Sequence, residues 1–305
     1  MGKSPCEVQV EKFFKHTRAN SFATRDRYKD DCQQFSRFCS EKFKLQNIRN
    51  MNDKHVAAFV KDAQQKGLAP KTIKNKLSSL RYLHDLLDKP RYQLSDNKQL
   101  QLQHGIKLAK TPQVNGDRSW TNEEYSRMRE ISRDLGNSNV ADCMTLARTM
   151  GLRVTEAAAI SRAQAEYAIR TGVYQVKGEA KNGKHRQVPL SPEGKAIFER
   201  RLVVTDRGNR LFIRTGEKTH QVVNQMQKFV EYHRDKVQTV EGTETRLDKR
   251  DGSTRELTFH GLRYGYVQDR MREEINRGVS YDQAAVIVSK EVGHERGDVI
   301  KIYEG

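Results

Sequence analysis

The chain has 305 residues, with 56 Lys or Arg against 39 Asp or Glu and a formal net charge of +17. This length fits one large domain or two ordinary ones, and the charge favours a polyanionic partner such as DNA, RNA or an anionic membrane surface. The sequence has no run of 18 apolar residues and no signal-peptide core, so we expect a soluble cytoplasmic protein without a membrane span.

The first third of the chain is predicted to be helical and holds most of the excess positive charge. Residues 1–110 carry 23 basic and 11 acidic side chains, whereas residues 111–305 carry 33 and 28. Apolar residues recur at helical spacing in three segments, which are 24–43, 51–67 and 69–87. This part of the chain is therefore the predicted electrostatic contact with the partner.

The third of these helices has an apolar face and a polar face. The polar face is a row of donors at the spacing of phosphate contacts, formed by Lys71, Lys74, Asn75, Ser78 and Arg81. An ordinary solvated helix face is the alternative interpretation. Because the surrounding sequence is basic, we favour contact with DNA.

Helical periodicity fades over residues 88–119, which we interpret as a linker with room for one more helical turn. The predicted organisation is a helical DNA-binding domain over 1–106, a linker over 107–119 and a second domain over 120–305. The polar stretch 237–256 inside the second domain is predicted to be a flexible hairpin or an insertion.

The second domain is predicted to be mainly helical with one small antiparallel sheet. Thr121 and Glu124 form a capping box at the start of one helix, and Gly151 ends the next. Two short extended runs, GVYQVK and HRQVPL, flank Asn182-Gly183, a pair typical of tight hairpins. Helices follow the hairpin and occupy most of the remaining sequence.

The sequence offers no local metal or nucleotide motif. It contains no HxxxH or HExxH spacing, no carboxylate cluster and no GxxxxGK[ST] loop, and its four cysteines lack zinc-site spacing. We therefore expect no metal and no cofactor, and reduced, partly buried thiols. Phosphodiester chemistry would then need a protein nucleophile, two Arg forks on the phosphate oxygens and a general acid for the leaving oxygen.

Such a set occurs along the second domain in the motifs GLRVTE, AKNGK, HGLR and GHERGDVIKIY. The chemistry-bearing residues are, in chain order, Arg153, Glu156, Lys181, Lys184, His260, Arg263, His294 and Tyr303. Taken singly, each has a structural alternative, such as a helix-capping arginine, a solvated lysine or a tyrosine at a frayed chain end. Their occurrence together in a basic chain favours catalysis.

These motifs, in this order, resemble those of the tyrosine recombinases, or phage-type integrases. The shared pattern is an Arg in GLRxxE, a Lys on a β-hairpin, HxLR, GH, and a Tyr nine residues beyond that His. The motifs span residues 146–303, and the basic helical first third extends the resemblance to most of the chain. It implies a two-domain C-shaped DNA clamp, with a helical SAM-like core-binding domain and an α+β catalytic domain.

The resemblance implies a role for each residue of the phosphate site. Arg153 and Arg263 would bind the scissile phosphate. His260 would hydrogen-bond the phosphate and help to deprotonate the tyrosine, and His294 would add a further phosphate contact. Glu156 would support His260 or the arginine cluster by contacting those residues and not the phosphate.

The resemblance also implies the groups that exchange bonds and protons. Tyr303 would attack the phosphorus and give a 3′-phosphotyrosyl enzyme with a free 5′-hydroxyl. Lys181 would be the general acid for the leaving oxygen, with Lys184 as the reserve candidate and a DNA contact. Family members usually continue beyond the tyrosine, whereas only Glu304 and Gly305 follow it here. Either a tail has been removed or subunit contacts use another element, such as residues 231–257.

The function so implied is site-specific recombination or integration of a mobile element or phage. The partners would be double-stranded DNA, three further copies of the chain in a tetramer, and DNA-bending accessory proteins, with a nucleoid location in a bacterium. Two alternatives remain open at this stage: a type IB topoisomerase with the same chemistry, and a DNA-binding regulator that keeps the fold without catalysis.

Overall fold

A computed structural model of the chain describes residues 2–17, 22–111, 116–177, 185–248, 252–294 and 296–304. Its contacts divide the chain into two compact units, Met1–Gln113 and Val114–Gly305, each with its own hydrophobic core. The described residues are mainly helical with one two-stranded antiparallel sheet, which confirms the predicted fold class. Within them, no helix is both long and apolar enough to cross a membrane.

The first unit is helical throughout its described part. Its helices are α1 (Pro5–His16), α2 (Phe22–Phe43), α3 (Asp53–Gln65), α4 (Pro70–Asp85) and α5 (Asn97–His104), with a 3-10 turn at Ile48–Asn50. Helices α2, α3 and α4 confirm the three predicted segments. Helix α1 was not predicted, although Ser4 and Glu7 form a capping box at its start.

The predicted linker is only partly a linker. Residues Asn97–His104 form helix α5, and Leu100 and Ile106 are buried in the core of the first unit. The helix is short and has few apolar residues, so its own periodicity is weak, and the burial of those two side chains holds it in place. The segment 88–119 thus contains a helix of eight residues where a linker with one more helical turn was expected.

The predicted row on α4 lies on the side of the helix away from its buried leucines. Lys71 and Ser78 are exposed, and Lys74 and Asn75 are half-buried. The Arg81 guanidinium instead donates to the Ser95 carbonyl at 3.1 Å and to Asn97 Oδ1 at 2.8 Å, which connects α4 to the start of α5. Arg81 thus has a structural role in addition to any contact with DNA.

The second unit contains the sheet and ten further helices within its described residues. They are α6 (Asn122–Asp134), α7 (Ser138–Met150), α8 (Val154–Ala158), α9 (Arg162–Thr171), β1 (Val173–Val176), β2 (Arg186–Pro189), α10 (Pro192–Val204), α11 (Thr219–Val237), α12 (Val240–Thr245), α13 (Phe259–Asn276), α14 (Tyr281–Glu291) and α15 (Lys301–Glu304), with a 3-10 turn at Gly297–Ile300. Helix α9 was missed, although Ser161 caps it with Gln164.

Helices α7 and α13 pack against each other at the centre of this unit. Gly151 ends α7 with a φ of +59°, and the Tyr266 ring of α13 occupies the space that a Cβ at this position would need. A residue with a side chain would meet both a steric clash and the strain of left-handed backbone. The predicted helix stop therefore also sets how closely α13 approaches α7.

Strands β1 and β2 pair antiparallel in the predicted hairpin, with Val173 opposite Pro189 and Val176 opposite Arg186. The predicted turn at Asn182-Gly183 lies outside the described residues, as do Lys181 and Lys184.

The described residues of the polar stretch 237–256 contradict the flexibility that was predicted for it, whereas its interpretation as an insertion stays a prediction. It contains α12 and an isolated antiparallel bridge, and its Arg246 side chain is completely buried. Arg246 donates to both carboxylate oxygens of Glu124 at 2.7 and 2.8 Å, and the Thr239 amide donates to the same carboxylate at 3.1 Å. The charged composition suggested a surface segment, but a complementary charge on α6 allows the arginine to be buried.

Arg246→Met should lower the free energy of unfolding of the second unit by about 3 to 5 kcal/mol, because Glu124 would stay buried without its counter-charge. Adding Glu124→Gln should recover most of the loss, since a neutral amide still accepts from Thr239. Urea unfolding followed by the fluorescence of Trp120, the only tryptophan of the chain, measures both changes. Strictly additive losses in the double variant would contradict the coupling.

The matched control is the solvent-accessible pair between Arg234 and Glu256, whose side chains are 22% and 63% exposed. Arg234→Met should cost less than about 1 kcal/mol, because water replaces the lost partner.

Candidate active site

Four segments of the second unit bring predicted site residues into one region. Arg153 is the N-cap residue of α8, and His260 and Arg263 lie on the first turns of α13. His294 follows the end of α14, and Tyr303 lies in α15. Helices α14 and α15 both pack against α13, so residues distant in sequence meet at its N-terminal half.

Glu156 lies at the centre of this arrangement and is completely buried. Its carboxylate accepts from the backbone N–H of Arg153 and from Nη1 of the same residue, both at 2.7 Å. Arg186 donates to both carboxylate oxygens, at 2.9 and 2.5 Å, and Nη1 of Arg263 lies 4.0 Å away. Glu156 therefore supports the arginine cluster, one of the two roles expected of it, and contacts three arginines.

The charge state of Glu156 follows from these contacts. Burial alone would raise the pKa of its carboxyl group, but the hydrogen bonds and charge of Arg186, with the charge of Arg153, outweigh burial. Together they lower the pKa to about 2. The carboxylate is thus ionised at neutral pH and offsets part of the positive charge of the cluster.

Arg186 is a site residue that the sequence prediction missed. It is the first residue of β2, and its side chain is buried beside that of Val188 on the inner face of the strand. Besides its two bonds to Glu156, it donates from Nε to the Glu291 carbonyl at 2.7 Å. The alternation of HRQVPL could have indicated this inward direction, because Arg186 and Val188 are two residues apart in a strand.

Arg263 is completely buried and held by backbone carbonyls. Its Nη1 donates to the Gly151 carbonyl at 2.7 Å and its Nη2 to the Val292 carbonyl, while its Nε has no hydrogen-bond partner among the described residues. Desolvation by burial lowers the pKa of its guanidinium to about 10, which leaves it charged at neutral pH. The backbone carbonyls thus fix this guanidinium beside Glu156.

His260 keeps an exposed surface at the edge of the site. Desolvation of the rest of its ring, together with the positive charges of Arg263, Arg153 and Arg118, lowers its pKa to about 4. Its imidazole is therefore neutral at neutral pH and can accept a proton or donate a hydrogen bond.

Tyr303 is only 4% exposed and is not a frayed terminal residue. Its Oη lies 3.0 Å from Nε2 of His294, and its ring centroid is 4.7 Å from that of Tyr264. The side-chain amide of Gln268 donates to its carbonyl at 2.9 Å. Both ends of the residue are thereby fixed, with the hydroxyl inside the histidine and arginine group.

A cavity of about 620 Å³ extends from Arg153 and His260 along α11, where Asn224, Gln227 and Lys228 line it. It offers room for a substrate next to the two predicted phosphate ligands. Within the described parts of the chain, no group of three or more His, Cys, Asp or Glu side chains could hold a metal ion.

Glu156→Gln should lower the free energy of unfolding of the second unit at about pH 7 by roughly 3 kcal/mol, because the buried arginines lose their counter-charge. The pKa of Glu156 is lower in the folded protein than the ordinary value of 4.5, so its stabilisation is complete above that value. It is lost as the pH falls towards about 2. The difference between wild type and variant should therefore shrink over that range.

Urea unfolding at several pH values, followed by Trp120 fluorescence, measures this difference. Glu166→Gln removes a carboxylate from the partly exposed pair with Arg162 and serves as the control, with a small and nearly constant effect. A Glu156→Gln loss that is the same at about pH 3 as at about pH 7 would contradict an ionised Glu156.

Comparison with known protein families agrees with the motif pattern. The profile of the N-terminal SAM-like domain of phage integrases matches residues 10–89, and the profile of the phage integrase family matches residues 118–304. Among curated protein sequences, none matches this chain significantly.

Solved structures of low sequence identity share the fold. The Tn1549 transposon integrase (residues 82–397, with transposon right end DNA) has 14% identity and a TM-score of 0.56, covering 99% of this chain and 95% of that chain. The XerH site-specific recombinase bound to difH substrate has 15% identity and a TM-score of 0.57, covering 98% and 82%. A lambda integrase dimer bound to a COC' core site has 14% identity and a TM-score of 0.57, covering 98% and 76%.

The expected SAM-like domain and the expected resemblance are both confirmed by these matches. Because the catalytic profile alone spans more than half of the sequence, the chain belongs to the phage integrase family, whose members are tyrosine recombinases.

Proposed function

We propose that the protein is a site-specific DNA recombinase that cuts and rejoins DNA through a 3′-phosphotyrosyl intermediate, for the integration or excision of a mobile element. The observation that carries this proposal is the buried Tyr303 hydroxyl, 3.0 Å from His294 Nε2 and within the same site as Arg153 and Arg263. Membership of the phage integrase family supports it.

The charge of the site suits a phosphodiester. Arg153, Arg186 and Arg263 bring three positive charges and Glu156 one negative charge, so the group has an excess of two. The ground-state phosphodiester carries one negative charge, and the pentavalent transition state places more charge on the non-bridging oxygens. We assign the phosphate contacts to Arg153 and Arg263, and a positioning role to Arg186 and Glu156.

In the cleavage step, Tyr303 Oη forms a bond to phosphorus while the bond from phosphorus to the 5′ oxygen breaks. His294 is the nearest base to the phenol at 3.0 Å, and neutral His260 is the second candidate to take its proton, with ring centroids 6.3 Å apart. The leaving oxygen takes a proton from Lys181, or from Lys184 as the reserve candidate. The reverse attack by a DNA 5′-hydroxyl releases Tyr303 and rejoins the strand.

The proposed substrate is double-stranded DNA, in line with the relatives whose structures contain their DNA sites. The proposed domains are a DNA-binding domain over 1–106, a linker over 107–119 and a catalytic domain over 120–305. In the first of these, we assign the DNA contact to the polar row on α4. Exchange between two duplexes cuts four strands, and each chain has one Tyr303 docked beside its own His294. We therefore propose four copies on two sites, with DNA-bending proteins as accessory partners on cellular DNA.

Tyr303→Phe should abolish the covalent protein–DNA adduct while DNA binding persists, because only the attacking oxygen is removed. The probe is a set of nicked suicide duplexes covering the DNA that flanks the gene, and denaturing electrophoresis measures the adduct. Tyr264→Phe is the matched control, since its ring lies 4.7 Å from that of Tyr303 and it should retain adduct formation. An adduct that survives Tyr303→Phe contradicts the nucleophile assignment.

Lys181→Ala should slow adduct formation on the order of 100-fold, the usual scale of a lost general acid. A duplex with a 5′-bridging sulfur at the scissile bond should restore most of the rate, because a thiolate leaves without a proton. Lys184→Ala should show a smaller loss and no sulfur rescue. The opposite pattern would move the general acid to Lys184.

A further inference from the structure

Arg118 lies just before α6, and its backbone is packed against the first turn of α13. A Cβ on Gly261 would overlap the Arg118 carbonyl oxygen. The backbone of Arg118 is therefore in close contact with the α13 backbone at Gly261, next to His260. Two residues further on, the indole N–H of Trp120 donates to the Thr258 carbonyl at 2.9 Å. The segment that carries Arg118 is thereby fixed beside His260.

The Arg118 guanidinium lacks the partners that the other arginines of the site have. Its Nε is buried without a hydrogen-bond partner, and no carboxylate in the described part of the chain pairs with it. The adjacent Asp117 accepts instead from the backbone N–H and the hydroxyl of Ser119, at 2.7 and 2.8 Å. By contrast, Arg153 and Arg186 are both paired with Glu156.

The unpaired charge acts on the site. It is one of the positive charges that lower the pKa of His260. Burial lowers this pKa most, followed by Arg263, Arg153 and then Arg118. The charge of Arg118 also opposes the burial that raises the pKa of Tyr264, whose ring contacts that of Tyr303. Arg118 is therefore an arginine held next to the reacting groups with no counter-charge among the described residues.

We propose that Arg118 is a further phosphate-binding residue of the active site, which contacts a DNA phosphate on the His260 side. A buried guanidinium donor without an acceptor is costly, and a phosphate oxygen supplies an acceptor and the opposite charge together. The backbone anchors at Gly261 and Trp120 hold the side chain ready for that contact. This assignment rests on the proposed function, because it takes DNA as the substrate.

Arg118→Gln is the test variant, and Arg129→Gln is the matched control. Arg129, on α6, also has a buried Nε without a hydrogen-bond partner, but its guanidinium lies over the Tyr125 ring at 5.0 Å. The rate of adduct formation is measured on the nicked duplexes from the DNA that flanks the gene. The salt dependence of binding to a random-sequence duplex of about 30 base pairs is measured with the same substitutions in the Tyr303→Phe protein.

Arg118→Gln should slow adduct formation on the order of tenfold or more, the scale of one charge-assisted hydrogen bond. It should also reduce the slope of log affinity against log salt by about 1, as for one lost phosphate contact. Arg118→Lys keeps the charge and should therefore restore part of the rate and part of the salt slope. Arg129→Gln should change neither the rate nor the salt slope. In the free protein, Arg118→Gln should raise the pKa of His260, which NMR titration measures.

A change in the rate alone or in the salt slope alone supports the proposal, because each reports a phosphate contact at a different stage. Wild-type rate and slope in Arg118→Gln overturn it. Equal losses in Arg118→Lys and Arg118→Gln, with a lowered Tm in both, also overturn it, since they indicate a structural role. If the wild type forms no adduct, the proposed function fails, and the salt slope still decides whether Arg118 binds phosphate.

Discussion

The geometry of the candidate active site depends on the buried carboxylate of Glu156. Three guanidinium groups lie around it, and their repulsion would be unscreened in the protein interior without a negative charge between them. One carboxylate brings together Arg153, Arg186 and Arg263 from three separate segments. Its single negative charge does not neutralise their three positive charges. The remaining positive charge is what a phosphodiester in its transition state requires, so the same contact supports both folding and the proposed chemistry.

A second buried ion pair, between Arg246 and Glu124, also stabilises the second unit. Arg246 and Glu124 are both completely buried, and Arg246 also donates to the Ser119 carbonyl at 3.2 Å. Through Trp120 and the Thr258 carbonyl, this pair is connected to the start of the helix that carries His260. Buried ion pairs add little net stability compared with apolar packing, but they favour one geometry, which is what a site assembled from distant segments needs.

The sequence was most informative where a local signal and the tertiary structure agreed. The capping box at Thr121, the stop at Gly151 and the two extended runs of the hairpin all occur as predicted, because each depends on neighbouring residues. Helix α5 is longer than the single turn expected, and the stretch 237–256 has a buried side chain where a flexible segment was expected. Both are stabilised by partners far away in sequence, a buried Leu100 in one case and the Glu124 carboxylate in the other.

The sequence by itself determined the order and identity of the chemical groups, since GLRVTE, HGLR and the spacing from GH to Tyr303 are local patterns that indicate a family. Only the tertiary structure decided that Arg186 contacts Glu156, that Arg118 has no carboxylate partner among the described residues, and that Tyr303 is buried. The physical reason is that local spacing fixes which side chains share a turn or a strand face. The burial and charge pairing of a side chain depend on contacts between separate segments, from 30 residues apart for Arg186 and Glu156 to 138 for Trp120 and Thr258.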